Sequence, residues 1–220
     1  MKKISIECVA VILDVDGTLV DSTPAVERTW RAWSAEYGID AETVLQGAHG
    51  RRSEDTIREL VPADQVQRAV RRIQAIELED LGDIAAMPGA HALLSRLARS
   101  PHLRWALATS MNQPLLIARM AAAGLPIPET VITSDVILDG KPDPESYLLA
   151  ARELGVSAHE CVVIEDAPAG LIAARAAGAT VVAVTHTFSA DILAPNADFV
   201  ISSLRALRVT DHGLVIATGT

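Results

Sequence analysis

The sequence has no surplus of basic residues. Its 19 Lys and Arg face 28 Asp and Glu, giving a net charge of −9, and no basic block occurs anywhere along it. That balance argues against a nucleic-acid binder. It leaves room for an anionic substrate, because a local lysine, arginine and metal ion outweigh the global field. Cysteine is scarce as well: only Cys8 and Cys161 are present, both in apolar runs. A single disulfide is the alternative, but two inert core thiols in a cytoplasmic protein is the preferred reading. The N-terminal apolar run, residues 8–13, follows two lysines but is too short for a leader or a membrane span and ends in aspartates. There is no internal repeat and no low-complexity segment. The expectation is therefore a cytoplasmic monomer with neither nucleic acid nor membrane as partner. With 220 residues, half of them apolar, the chain can bury a full core, as one large domain or a core carrying a small insert.

Apolar stretches without alternation, rich in β-branched residues, predict buried strands at 9–13, 105–108, 130–132, 161–164, 180–184 and 199–201. Between them lie helical stretches at 91–98, 114–123, 144–154 and 168–177. The last three carry Pro near the first turn and Gly at the end. Alternating strands and helices imply crossover connections and a doubly wound parallel α/β sheet, a Rossmann-like core. Residues 21–87 break the rhythm. They offer helices at 24–37, 53–60 and 64–81 and no convincing strand, so they are expected to form a small all-helical domain inserted after the first strand. Residues 1–20 and 88–220 would make the core. Trp30 and Trp33 share a helix face and are assigned to packing in the insert. The tail, 208–220, is expected to form a hairpin around Asp211-His212-Gly213.

Four short motifs follow strand ends in order: Asp14-Val15-Asp16-Gly17-Thr18, Thr109-Ser110, Lys141-Pro142 and Glu165-Asp166. Period two puts the Asp14 and Asp16 carboxylates on one side of the backbone. Gly17 permits a sharp turn and close approach of a phosphate. One acid could attack phosphorus while the other moves a proton. Taken alone, the segment is equally a strand end with an Asp-Gly turn. Glu165-Asp166 is either a helix cap or part of a metal site. Magnesium wants oxygen ligands, and Asp14, Asp166 and the main-chain carbonyl of Asp16 would supply three. The Thr109-Ser110 hydroxyls suit a phosphate oxygen, and Lys141 could neutralise it.

Together with the flanking Thr18-Leu19-Val20-Asp21-Ser22, these four ordered motifs resemble those of the haloacid dehalogenase-like hydrolase superfamily over nearly the whole chain. The helical insert resembles the small cap of the β-phosphoglucomutase-like branch. The resemblance implies a Mg²⁺-dependent phosphatase acting through an aspartyl-phosphate on Asp14, with Asp16 as general acid/base. It implies that Thr109 and Lys141 hold the phosphoryl group, that Asp166 binds Mg²⁺ and that Glu165 lies near the metal. The segment His49-Gly50-Arg51-Arg52-Ser53 is similar to the substrate-facing loop of yeast-type 2-deoxyglucose-6-phosphate and glycerol-3-phosphate phosphatases. His49, Gly50, Arg51 and Arg52 are therefore expected to meet a small sugar or polyol phosphate, together with Ser110 and Asn112 of the core. His186, after the fifth strand, is a further candidate for the rim of the site.

The main alternative is a β-phosphoglucomutase-type mutase. Members with that activity usually carry a histidine twelve residues after the nucleophile, where this chain has Val26. A dehalogenase does not use the acid/base Asp, which is present as Asp16. A phosphonatase needs a cap lysine, and residues 21–87 contain none. A non-catalytic binding protein on the same fold is the remaining alternative.

Overall fold

The unbroken apolar runs become a six-stranded parallel sheet in the computed structural model, which describes residues 2–218. Its order is β6 (Thr130–Ile132), β5 (Arg104–Ala108), β2 (Ala10–Leu13), β7 (Cys161–Glu165), β8 (Thr180–Val184), β9 (Phe199–Ile201). Such runs carry no polar face because helices cover both sides. One apolar layer holds Val11, Leu13, Leu107 and Val162, and the other Ile12, Ala106, Val163 and Tyr147. Helices α5 (Ala90–Leu97), α6 (Gln113–Ala122), α7 (Glu145–Glu153) and α8 (Pro168–Ala176) match the four expected stretches to within a residue or so at each end. A short α9 (Ala190–Leu193) follows β8.

Register is what positions the site. Leu13 pairs with Leu107 on one side and Ile164 on the other. The next residues along these parallel strands, Asp14, Ala108 and Glu165, thus emerge level at the carboxyl edge. That edge is where ligands bind in doubly wound sheets.

Several features depart from the sequence expectation. Strand β1 (Lys2–Glu7) precedes the sheet and pairs antiparallel with β11 (Gly213–Thr218), which also pairs with β10 (Leu207–Thr210). The expected tail hairpin is therefore present as part of a three-stranded sheet; its residues 219–220 lie outside the described residues. Val9, expected within the first parallel strand, stands outside it and is exposed. The segment 21–87 contains strand residues after all: β3 (Val20–Asp21) pairs with β4 (Ala85–Ala86), tying together the two chains that enter and leave the helices.

Between those chains lie α1 (Thr23–Tyr37), α2 (Ala41–Ala48), α3 (Ser53–Leu60) and α4 (Val66–Glu79). Helix α2 was not anticipated. It is started by Asp40, whose side chain accepts the Thr43 N–H at 2.9 Å. The four helices enclose an apolar cluster of their own that includes Trp33, Val44, Ile57, Val70 and Ile73. Trp33 stacks on Tyr37 with ring centroids 4.5 Å apart, and its indole N–H donates to the Ala69 carbonyl at 3.1 Å. Cys8 and Cys161 are free thiols, and burial pushes them up to about 11 and about 12 respectively. No helix among the described residues is long and apolar enough to cross a membrane.

Truncating Trp33 to Ala is expected to cost about 3–5 kcal/mol, the usual range for deleting a buried aromatic, and to be read as a lowered denaturant midpoint in urea unfolding.

Candidate functional site

The level strand ends place Asp14 and Glu165 side by side, and Lys141 closes the space between them. Its Nζ donates to Asp14 Oδ1 at 2.6 Å, to Glu165 Oε1 at 2.8 Å and to the Ala108 carbonyl at 3.3 Å, so all three ammonium protons have acceptors. Only 2% of Lys141 is exposed, and it lies 5.0 Å from the centre of the Tyr147 ring. The Tyr147 hydroxyl donates to the same Glu165 oxygen at 3.2 Å. The other oxygen, Oε2, accepts the Asp166 and Ala167 amides, both at 2.7 Å, at the start of α8. Glu165 is fully buried with protein donors on both oxygens. It anchors Lys141 and holds the turn that leads into α8.

Asp166 points into the same space. One of its oxygens accepts the Thr18 hydroxyl at 3.3 Å and the other the Thr187 hydroxyl. Gly17 sits against this carboxylate with φ at +76°, where a Cβ would strike Asp166 and come within 2.6 Å of Thr187 Oγ1, so only glycine fits. Oxygens of Asp14, Glu165 and Asp166 all lie within 4.8 Å of one another. Of the three buried carboxylates, Lys141 pairs with two, Asp14 and Glu165, which leaves an excess of negative charge. The consequences are visible in their protonation. Burial, opposed by Lys141 and reinforced by Glu165 and Asp16, pushes the Asp14 carboxyl up to about 8. Burial and the neighbouring Glu165 and Asp14 carboxylates raise Asp166 well above the ordinary range. Burial pulls the Lys141 ammonium down, but Asp14 and Glu165 outweigh it and hold it above its usual value. A hard divalent cation with oxygen ligands fits this donor set and its charge.

On the cavity side, Asp16 is held from two directions. The Ser22 hydroxyl donates to one oxygen at 2.7 Å, and Arg119 Nη1 donates to the other at 2.5 Å. Arg119 comes from α6 and is buried. Its Nη2 lies 4.0 Å from Glu77 of α4, so this guanidinium stands between core and insert.

Asp14, Asp16, Asp166 and Thr109 line one cavity of about 100 Å³ together with insert residues that include His49 and Gly50. The insert touches the core directly above it. Ser110 Oγ donates to the Gly50 carbonyl at 3.0 Å. Gly50 has φ at +77°, and a Cβ there would meet the Ala167 side chain at 2.5 Å. Arg52 is gripped by Asp55 through two bonds of 2.7 and 2.8 Å and donates to the Ile137 carbonyl at 3.3 Å. Arg51 pairs with Glu59. His49 meets the Phe188 ring edge-on at 6.0 Å, and burial lowers its imidazole. Thr109 Oγ1 accepts the Met111 amide at 3.2 Å, and Asn112 caps α6 by accepting the Leu115 amide at 3.0 Å.

Residues 8–178 match the family described as haloacid dehalogenase-like hydrolase. The chain belongs to this family. It is 40% identical to hexitol phosphatase A of Escherichia coli (strain K12), over 92% of this chain and 94% of that one. It is 33% identical to glycerol-1-phosphate phosphohydrolase 2 of Saccharomyces cerevisiae, over 94% of this chain and 87% of the relative. Among solved structures, a hydrolase from Pseudomonas syringae superposes with a TM-score of 0.81 at 28% identity, covering 89% of this chain and 93% of that one.

Within this haloacid dehalogenase-like hydrolase, the core residues named from sequence (Asp14, Asp16, Thr109, Lys141, Glu165 and Asp166) meet at one place. The insert residues divide. His49 and Gly50 face the cavity, while Arg51 and Arg52, though at its wall, have their guanidiniums engaged by acids of α3. His186 does not reach the carboxylates; its Nε2 lies 3.2 Å from Asp21 Oδ1, and it is the next residue, Thr187, that bonds to Asp166. Arg119, Glu77, Tyr147 and Thr187 escaped the sequence reading. The signal for Arg119 and Glu77 was a charge on a buried helical stripe: Leu115, Leu116, Arg119 and Met120 in α6, and Ile73, Ile76 and Glu77 in α4.

A raised folded-state carboxyl stabilises the protein at low pH, and that contribution is lost as pH rises through the folded value. With Asp14 pushed up to about 8 and Glu77 to about 7 in the folded state, against about 4 for an ordinary carboxyl in the unfolded chain, the metal-free protein is expected to lose thermal stability between about pH 4 and pH 8. Millimolar Mg²⁺ is expected to raise the melting temperature more at the upper end of that range. Thermal melts in EDTA and in Mg²⁺ check both signs.

Proposed function

We propose that the chain is a Mg²⁺-dependent phosphomonoesterase that hydrolyses a small sugar or polyol phosphate through an aspartyl-phosphate on Asp14. The observation that carries this reading is the contact of Lys141 with Asp14 at 2.6 Å, where Asp14 lines one cavity with Asp16, Asp166 and residues of the helical insert. The named relatives, a hexitol phosphatase and a glycerol-1-phosphate phosphohydrolase, support the substrate class.

Lys141 keeps the Asp14 carboxylate oriented, with Oδ1 bound and Oδ2 left for phosphorus. An Asp14 oxygen forms the new bond to phosphorus as the ester P–O bond breaks, and the departing oxygen takes a proton from Asp16. Water then attacks the acyl phosphate, gives its proton to Asp16 and releases phosphate, which restores the Asp14 carboxylate. Thr109 and Ser110, which line the cavity, hold the phosphoryl oxygens, and Lys141 offsets their charge from behind Asp14. Asp14, Asp166 and the main-chain carbonyl of Asp16 would hold Mg²⁺, which supplies charge neutralisation for the phosphoryl group when bound. Glu165 acts through Lys141 by fixing its position. Residues 21–87 serve as the cap, with residues 1–20 and 88–220 as the catalytic core.

The mutase alternative lacks its second acid/base group. Val26, which stands where that histidine belongs, lines the cavity with an apolar side chain. The acyl phosphate is then left to water.

Asp14→Asn is expected to lower phosphate release from hexitol and glycerol phosphates by roughly a thousandfold or more. Release at the wild-type rate would remove Asp14 as the nucleophile. Arg52, held by Asp55 and Ile137, braces the cap against the loop that carries Lys141. Arg52→Ala is therefore expected to lower kcat/KM for a polyol phosphate and for a generic aryl phosphate by similar factors. A loss confined to the polyol ester would make Arg52 a selectivity residue instead.

A further inference from the structure

We infer that Glu77, with Gln74 one turn before it on α4, accepts hydrogen bonds from the hydroxyls of a neutral polyol or sugar leaving group and turns away esters that carry a carboxylate beside the phosphate. The inference rests on the phosphatase reading above and narrows its substrate class.

Glu77 is unusual for its place. Helix α4 buries Val66, Ala69, Val70, Ile73 and Ile76, and Glu77 continues that buried side with only 9% of its surface exposed. Its nearest cation, Arg119 Nη2, is 4.0 Å away, beyond hydrogen-bond distance, and no side-chain hydrogen bond to Glu77 is found among the described residues. A buried carboxylate without a donor is costly. Burial, with Arg119 opposing and Asp16 adding, pushes its carboxyl up to about 7. Arg119 is equally underused, since its buried Nε has no partner. Glu77, half-buried Gln74 and Arg119 all line the same cavity as Asp14 and Asp16.

The location decides what these groups meet. Asp16 hands its proton to the departing ester oxygen, Arg119 touches Asp16, and Glu77 is the next group beyond Arg119. The carbon skeleton attached to that oxygen therefore leaves the phosphate on the Glu77 side. A hydroxyl there donates to the carboxylate and supplies the bond it lacks. A carboxylate there meets Asp16 and Glu77, two acids opposed by one guanidinium, and is repelled. Sites built around a buried polar group discriminate strongly against ligands that fail to satisfy it. If Glu77 served only as an ion-pair strut for the insert, a hydrogen-bonded contact with Arg119 would be expected in place of the 4.0 Å gap.

The test compares two esters of primary alcohols, glycerol 1-phosphate and 2-phosphoglycolate, by kcat/KM in Mg²⁺ at about pH 8, where Glu77 is ionised. The wild type is expected to favour glycerol 1-phosphate by at least about tenfold, and Glu77→Gln to compress that ratio by about fivefold or more. Should Glu77→Gln fail to fold, Gln74→Leu is expected to compress the same ratio. A wild type that turns over both esters equally, or a folded variant whose ratio stays within about twofold of wild type, overturns the inference alone. Phosphate release from neither ester nor from an aryl phosphate overturns the phosphatase reading and the inference with it.

Discussion

The Lys141 ammonium, wedged between Asp14 and Glu165 at the carboxyl edge of the sheet, is the contact on which the rest of the site depends. Three chain segments far apart in sequence converge on it. The parallel register of β2 with β7 sets the two carboxylates level, and the Ala108 carbonyl on neighbouring β5 takes the third proton. Removing the lysine would leave two buried acids facing each other; removing either acid would leave a buried cation short of a partner. Losses of that kind are severe in low-dielectric interiors. The motif order along the chain is thus a consequence of sheet topology and charge balance together.

That balance is deliberately incomplete on the ligand side. Among three carboxylates one ammonium pairs with two, and one guanidinium, that of Arg119, stands near Asp16 and Glu77. The site therefore presents excess negative charge to a cation and a hydrogen-bonding wall of two acids and one guanidinium to an organic group. The global charge of −9 points the same way: the phosphate is drawn in by local groups, with the protein's overall field against it. Two of the hydrogen bonds between insert and core run from Ser110 to Gly50 and from Arg52 to Ile137. Each bonds to a main-chain carbonyl, so the roof is located by backbone positions that tolerate variation in neighbouring side chains.

Much of this was legible in the sequence, for physical reasons. Unbroken β-branched runs leave a parallel sheet as the natural arrangement, and carboxylates placed where such runs stop have nowhere to be but its ligand edge. What escaped notice lacked a local signal. Strand β1 alternates polar and apolar residues behind two lysines, but only pairing with β11 makes it a strand. Helix α2 is eight residues long with Gly47 inside it, too weak a pattern to stand out. Arg119 and Glu77 sit on apolar stripes, and their meaning emerges only when α4 and α6 are seen to face each other across one cavity. Glu165 shows the opposite case: its place beside Asp166 was legible, whereas its engagement by Lys141, Tyr147 and two backbone amides was not. Arg51 and Arg52 looked like free cations for a phosphate until Glu59 and Asp55 were found beside them.

The claim that Asp14, held by Lys141, takes the phosphoryl group is tested most directly by trapping. Rapid acid quench during turnover of a hexitol or glycerol phosphate, followed by peptide mapping, should yield a hydroxylamine-sensitive phosphoryl group on the peptide containing Asp14. Phosphate release with that peptide unmodified throughout, or with the phosphoryl group on another residue, would contradict the account.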